Sequence, residues 1–297
     1  MISDSLHYAN LYENEAFPYI MFTINHNLCS PSGPGYRYLH WHEELQYTLV
    51  KNGSLTMQIN GVDYQLLCGD AIFINSGLLH MTKNISSNGS YISFNFHSKL
   101  LSIFKESNME KYCVLPYLTN YTCSPLLMKC AEPQYQKELM ILKQLHSLNV
   151  SIKEPLVQYQ VSSLLINLWL NTITKIEPPC SKPNVIDKRK QEYLYRMLSY
   201  VHMNYAADLT LKDIAFAAYV STSECYRCFK KILHITPYGY LLNFRITKGM
   251  ELLTETNNSI AEIATAIGFN DSSHFIQYFK KLRGCTPNEY RNNNLNT

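Results

Sequence analysis

Ser259-Ile260-Ala261-Glu262-Ile263-Ala264, followed by Gly268-Phe269, Phe279-Lys280-Lys281 and Thr286-Pro287, repeats a pattern used once before as Asp213-Ile214-Ala215, Phe229-Lys230-Lys231 and Thr236-Pro237. Tyr240 and Tyr290 extend the likeness. The spacing is 49 residues from Asp213 to Glu262 and 50 from Phe229 to Phe279. Two copies of one supersecondary unit make a paired module, since a solenoid needs three or more. Each copy reads helix, turn, helix, with lysines closing the second helix, which is the outline of a helix-turn-helix that binds DNA.

Spacing assigns the faces of the two second helices. Cys225, Cys228, Phe229 and Ile232 fall at i, i+3, i+4 and i+7 and define one buried face, as do Phe275, Tyr278, Phe279 and Leu282. Ser223, Glu224, Tyr226, Arg227, Lys230 and Lys231 are left outward on the first helix. Ser272, Ser273, Ile276, Gln277, Lys280 and Lys281 are left outward on the second. Ser221 and Asp271 stand where an N-cap is needed. Arg227 is the candidate for reading a base, because a guanidinium bonds guanine O6 and N7 together. The terminal lysines suit phosphate, which positions without specifying sequence. Cys225 and Cys228 have a redox or zinc spacing, but both lie on the buried face and no second pair stands nearby, so packing is expected.

Composition agrees with this outline. The 297 residues, 46% hydrophobic and 16% charged, suffice for two cores. No run of about 18 apolar residues is present, which argues against a membrane span, and nine scattered cysteines suit a reducing compartment, so a cytoplasmic protein is expected. From Lys188 onward 14 Lys/Arg face 9 Asp/Glu, whereas residues 1–187 carry 12 against 14. The basic portion coincides with the repeat, as phosphate binding requires.

Pro178, Pro179 and Pro183 interrupt any helix, so 178–189 is expected to link two domains. Before it, Leu139, Leu142 and Leu145, then Val161, Leu164, Leu165 and Leu168, carry helical spacing over about 134–176. Nearer the N-terminus, alternating runs at 47–50, 55–59 and 64–67 are separated by Asn52-Gly53 and Asn60-Gly61, each read as a hairpin turn in an antiparallel β domain.

Residues 190–297 are identified as resembling the DNA-binding domain of AraC/XylS-type transcriptional regulators, which carries two helix-turn-helix motifs joined by a long helix, here about Tyr238 to Thr254. The resemblance places Ser223, Tyr226 and Arg227 at the first base-contacting positions and Ser272, Ser273, Ile276 and Gln277 at the second. Gln277 stands where the family often has arginine, and Tyr219 stands where the second copy has Gly268. Because tyrosine is costly at positive φ, a different first turn is expected.

His40, His42 and Gly53, then Gly69, Gly77, His80 and Asn84, resemble the two motifs of a cupin, a small β-barrel or jelly-roll sensor often attached to that domain. Residues 40, 42 and 46 share strand parity, so His40, His42, Gln46 and, from the second motif, His80 form the expected effector site, with Tyr38 and Trp41 nearby. Gln46 replaces the glutamate of metal-binding cupins and removes charge compensation, so neither metal nor cofactor is expected.

The expected architecture is α+β. An N-terminal antiparallel β-barrel spans 1–120, dimerisation helices 121–177, a linker 178–189, and an all-α domain with two helix-turn-helix motifs 190–297. The resemblance implies a non-enzymatic regulator, in the activator mould, that forms a homodimer, binds double-stranded promoter DNA, responds to a small polar effector with a sugar favoured, and has RNA polymerase as a candidate partner. The alternatives are a metal-dependent cupin enzyme with a DNA-binding appendage, and a regulator whose cupin only dimerises.

Overall fold

The computed structural model describes residues 12, 16–25, 28–31, 38–118, 124–176 and 185–295. They form two compact units, divided between Lys188 and Arg189. Pro178 to Asn184, the heart of the expected linker, lies outside the described residues.

The first unit is built on β1 (Tyr19–Asn25), β2 (Leu28–Ser30), β3 (Leu45–Asn52), β4 (Ser54–Ile59), β5 (Val62–Leu67), β6 (Ala71–Ile74), β7 (His80–Ile85), β8 (Ser90–Phe96) and β9 (Leu126–Met128). The expected closed barrel is not what forms. The described strands make two antiparallel sheets, ordered β2-β1-β8-β3-β6-β9 and β5-β4-β7. The two Asn-Gly pairs therefore do different things. Asn60-Gly61, both at positive φ, closes the β4–β5 hairpin in which Ile59 faces Val62. Asn52-Gly53 joins strands that do not pair, so it is a corner at which the chain leaves one sheet for the other, and the β3–β8 register shifts there. Gly53 is required at the corner: φ is +64 and an added Cβ would lie 2.2 Å from Ser86 Oγ.

Alternation along β3 accounts for the layering. Leu45, Tyr47 and Leu49 join Phe73, Phe94 and Phe96 on one face of the large sheet, where Leu139, Leu142, Leu145, Val161, Leu165, Leu168 and Trp169 cover them. Those residues come from α2 (Gln136–Leu148) and α3 (Pro155–Ile173), which follow the short helix α1 (Leu115–Leu118). The opposite face offers Val50, Ile72, Ile74 and Tyr91 to Leu55, Met57, Ile59 and Leu66 of the small sheet. Because β3 lies between helices and sheet, its residues 45–50 are all buried.

Asp70, buried at the start of β6, accepts from the amides of Leu67 at 3.0 Å and Cys130 at 2.9 Å and from the Lys129 ammonium at 2.8 Å. Burial alone would raise its pKa, but the Lys129 ammonium and the two amides outweigh burial and hold the carboxyl below its ordinary value. A carboxyl with a lower pKa folded than unfolded contributes stability above the unfolded value and loses it as pH falls through the folded one. The thermal midpoint of this unit should therefore fall as pH drops below about 4, with Asp70→Asn flattening that limb. An unchanged acid limb in Asp70→Asn would assign the sensitivity to other carboxylates.

The second unit is helical: α4 (Val185–Asn204), α5 (Leu211–Ala217), α6 (Thr222–Ile232), α7 (Pro237–Glu255), α8 (Ile260–Ala266), α9 (Ser272–Arg283) and α10 (Pro287–Leu295). The sequence repeat is a structural one, with α7 closing the first copy and opening the second. Thr210 with Asp213 and Ser259 with Glu262 make matching capping boxes on α5 and α8. Arg245 donates to the carbonyls of Tyr205 and Ala207 beyond α4, and Arg291 donates to those of Leu253 and Asn258 at the end of α7. Tyr240 meets Phe229 edge-on at 5.8 Å, and Tyr290 meets Phe279 at 5.6 Å. The first turn does not differ from the second as expected. Tyr219 adopts φ +55 where Gly268 has φ +85, and the bond from Val220 N to Ala215 O matches that from Phe269 N to Ala264 O.

Candidate functional site

Helix α6 starts at Ser221, whose hydroxyl accepts from Glu224 N, and α9 at Asp271, whose carboxylate accepts from Ser273 N. Cys225, Cys228 and Phe229 point inward from α6, leaving Ser223, Tyr226, Arg227, Lys230 and Lys231 exposed. Burial pushes the thiols of Cys225 and Cys228 up, to about 12 and about 11, so neither is a reactive thiolate at neutral pH. On α9, Ser273, Gln277, Lys280 and Lys281 are exposed, whereas Ser272 is half-buried and Ile276 leans on the core around Phe275 and Phe279. Leu282, expected on the buried face, is 43% exposed. It lies in the last turn, beyond the point where α9 follows its core. Arg227 donates through Nη2 to Glu224 Oε2 one turn earlier.

The four polar residues expected together in the first unit do come together, by a route other than strand parity. His40 and Trp41 form only an isolated bridge and β3 begins at Leu45, so His40 and His42 reach Gln46 from the chain preceding its strand. His80 enters from β7, hydrogen-bonded through its backbone to His40. Asn84 of the same motif is exposed on β7, away from them.

Hydrogen bonds fix the state of the rings. Nδ1 of His40, His42 and His80 lies 2.8, 3.1 and 2.7 Å from the carbonyls of Tyr38, Glu44 and Leu78, and a carbonyl only accepts, so each Nδ1 carries a hydrogen. Burial, then the charge of His42, lowers the His40 pKa to about 3; burial, then His40 and His42, takes His80 well below its usual value. The Gln46 amide joins two of the rings: its Oε1 lies 3.0 Å from His42 Nε2 and 3.1 Å from His80 Nε2, and its Nε2 donates to Thr48 Oγ1 at 3.0 Å. The ligand atoms of the three histidines lie within 4.8 Å of one another, a set that suits one divalent cation of borderline softness. Gln46 brings no charge to neutralise an ion.

The helix-turn-helix domain model matches residues 214–293. The uncharacterized HTH-type transcriptional regulator YdeC of Bacillus subtilis strain 168 is 32% identical over 92% of this chain and 90% of its own length. This chain belongs to the AraC family of DNA-binding transcriptional regulators. The melibiose operon regulatory protein of Escherichia coli K12 is 23% identical to this AraC-family regulator over 85% of this chain and 82% of its own length. The crystal structure of an AraC-type DNA-binding domain protein from Chromobacterium violaceum shares 32% identity over 35% of this chain and 93% of its own, with a TM-score of 0.34.

Sequence reading missed part of what surrounds both sites in this AraC-family regulator. Thr48, Ser93 and Asn95 extend the buried polar set, with Asn95 Nδ2 donating toward His42 Nε2 at 3.5 Å. Polar residues at alternate positions of the apolar strand Ser90–Phe96 were the available signal. The exposed aromatic pair Phe216 and Tyr219, 5.8 Å apart beside the first turn, was not singled out either.

Proposed function

We propose that α5–α6 and α8–α9 act as two helix-turn-helix motifs reading promoter DNA, and that the first unit is a cupin-like sensor whose effector reaches His40, His42, Gln46 and His80. The single observation that carries the reading is the outward face of α6, where Arg227 and the lysines stand exposed at the positions a recognition helix uses. Arg227 supplies base readout; Ser223, Tyr226, Ser272, Ser273, Ile276 and Gln277 are the further base-side positions, and Lys230, Lys231, Lys280 and Lys281 grip phosphate. The melibiose relative supports carbohydrate genes as targets and a sugar as effector. An effector regulates only through unequal affinity for two states, and a buried set of imidazole and amide groups suits hydroxyls. A homodimer through α3 fits its outer side, since the helix has no charged residue and exposes Leu156, Tyr159 and Leu170. Sedimentation showing only a 34.4 kDa species at all concentrations would remove that part.

The test is capture of fragmented genomic DNA by the purified chain at about 0.15 M salt, followed by sequencing. A few enriched intergenic sites support the reading; uniform capture overturns it. On an enriched site, Arg227→Ala should relax preference at one base pair by roughly 1–3 kcal/mol. Lys281→Ala should weaken all sequences alike and flatten the salt slope by about 0.9.

A further inference from the structure

We propose that Glu224 is a positioning residue for DNA recognition, holding the Arg227 guanidinium at the angle at which it reads a base. The proposal rests on the assignment of Arg227 to base readout. Arg227 is 72% exposed along its side chain, and a long exposed arginine in water samples many rotamers. Left to itself it would reach phosphates as readily as a base edge, giving affinity without discrimination.

Glu224 removes that freedom. Its side chain is only 21% exposed, and its two oxygens are divided between partners: Oε2 accepts from Arg227 Nη2, and Oε1 lies 3.7 Å from the Cys228 thiol, which donates to it. Cys228 is buried in the domain core, so the carboxylate is tied to a fixed point and passes that restraint to the guanidinium. Glu224 is itself held, since its amide donates to the Ser221 hydroxyl at the start of α6. One contact through Nη2 leaves the guanidinium enough donors on another edge to engage guanine O6 and N7 together. The negative charge acts in the same direction. A carboxylate beside Arg227 penalises any approach that brings a phosphate to this guanidinium, a repulsive device that lowers competing nonspecific binding. The second recognition helix has no such pair, since Gln277 stands at the position matching Arg227 and His274 at that matching Glu224.

The experiment selects duplexes from a random-sequence library with the full-length chain, the Glu224→Ala and Arg227→Ala variants, and the double variant. Base preferences are read by sequencing, and affinity for nonspecific duplex is measured in parallel. Arg227→Ala should abolish the preference at one base pair, which for a good bidentate contact is roughly 5- to 150-fold. Glu224→Ala should reduce that same preference by about five-fold while raising nonspecific affinity, and should change it no further in the Arg227→Ala background. A Glu224→Ala effect that persists without Arg227 would overturn the proposal and make Glu224 a reader of a base in its own right. An unchanged preference in Glu224→Ala, with the preference lost in Arg227→Ala, would overturn the positioning role alone. If Arg227→Ala changes nothing, both the readout assignment and the proposal fall. Glu224→Gln, which keeps the side-chain volume, supplies the same comparison if the alanine variant does not fold; it should raise nonspecific affinity through the lost charge.

Discussion

Lys175→Met should destabilise the first unit by about 3 kcal/mol, the lower end of the cost of breaking a buried ion pair from one side. Glu138 is fully buried on α2, and its Oε1 accepts from the Lys175 ammonium just beyond α3. Its other oxygen, Oε2, has no hydrogen-bond partner among the described residues. Removing Lys175 leaves a fully buried carboxylate with nothing to repay its lost hydration. The lower end is appropriate because the lysine side chain is 24% exposed and keeps some water of its own. For a unit of this size the thermal midpoint should drop by roughly 10 °C. Glu138→Leu together with Lys175→Met should recover most of the loss, since an apolar pair of similar volume needs no compensation. A midpoint unmoved by Lys175→Met would mean that water already reaches the Glu138 carboxylate.

Gly268→Ala and Tyr219→Gly should change stability in opposite directions although they alter equivalent turns. At Gly268 an added Cβ would meet the Ala206 carbonyl oxygen at 2.7 Å, its carbon at 2.9 Å and Arg245 Nη2 at 2.9 Å. Two of these are backbone atoms and the third belongs to the arginine that ties down the carbonyls of Tyr205 and Ala207, so none yields cheaply. Left-handed strain of about 1–2 kcal/mol and a packing clash of similar size together give a loss of roughly 3 kcal/mol. At Tyr219 the same backbone conformation is already occupied by a residue that suffers the strain, with its side chain 80% exposed and little packing to lose. Tyr219→Gly should therefore gain up to about 1 kcal/mol. Amide exchange within α8 and α9 and within α5 and α6, together with urea unfolding followed by helix signal, reads both effects. Equal losses from the two substitutions would mean that the two turns do not share a conformation in solution.

Much of the second unit was legible because its determinants are local. Helix faces follow from residues three and four apart, the starts of α6 and α9 follow from single capping side chains, and those caps survive in the structure at Ser221 and Asp271. The repeat supplied a second reading of each element, and α7 spans Pro237–Glu255 where Tyr238 to Thr254 was expected. The local rule failed where its premise ended. Leu282 has helical spacing, but it stands in the last turn of α9 and is 43% exposed.

The first unit was legible in β3, β4 and β5, and not in the strands that flank them or in the allotment of strands to sheets. Asn52-Gly53 and Asn60-Gly61 are the same dipeptide, yet one crosses between sheets and the other closes a hairpin. Which occurs depends on whether β8 and β6 are available to flank β3, and those strands lie tens of residues away. The same holds for the sites. Sequence nominated His40, His42, Gln46 and His80, but the backbone carbonyls that hold the three rings, and the contacts of Gln46 with two of them, come from packing that no spacing encodes. By itself the sequence determined the paired helical module and the faces that α6 and α9 present, since periodicity and capping act within a turn or two of chain. Only the tertiary structure decided the two-sheet layering, the buried Glu138–Lys175 pair and the tether from Cys228 through Glu224 to Arg227, because burial and side-chain partnering are properties of surfaces that meet after folding.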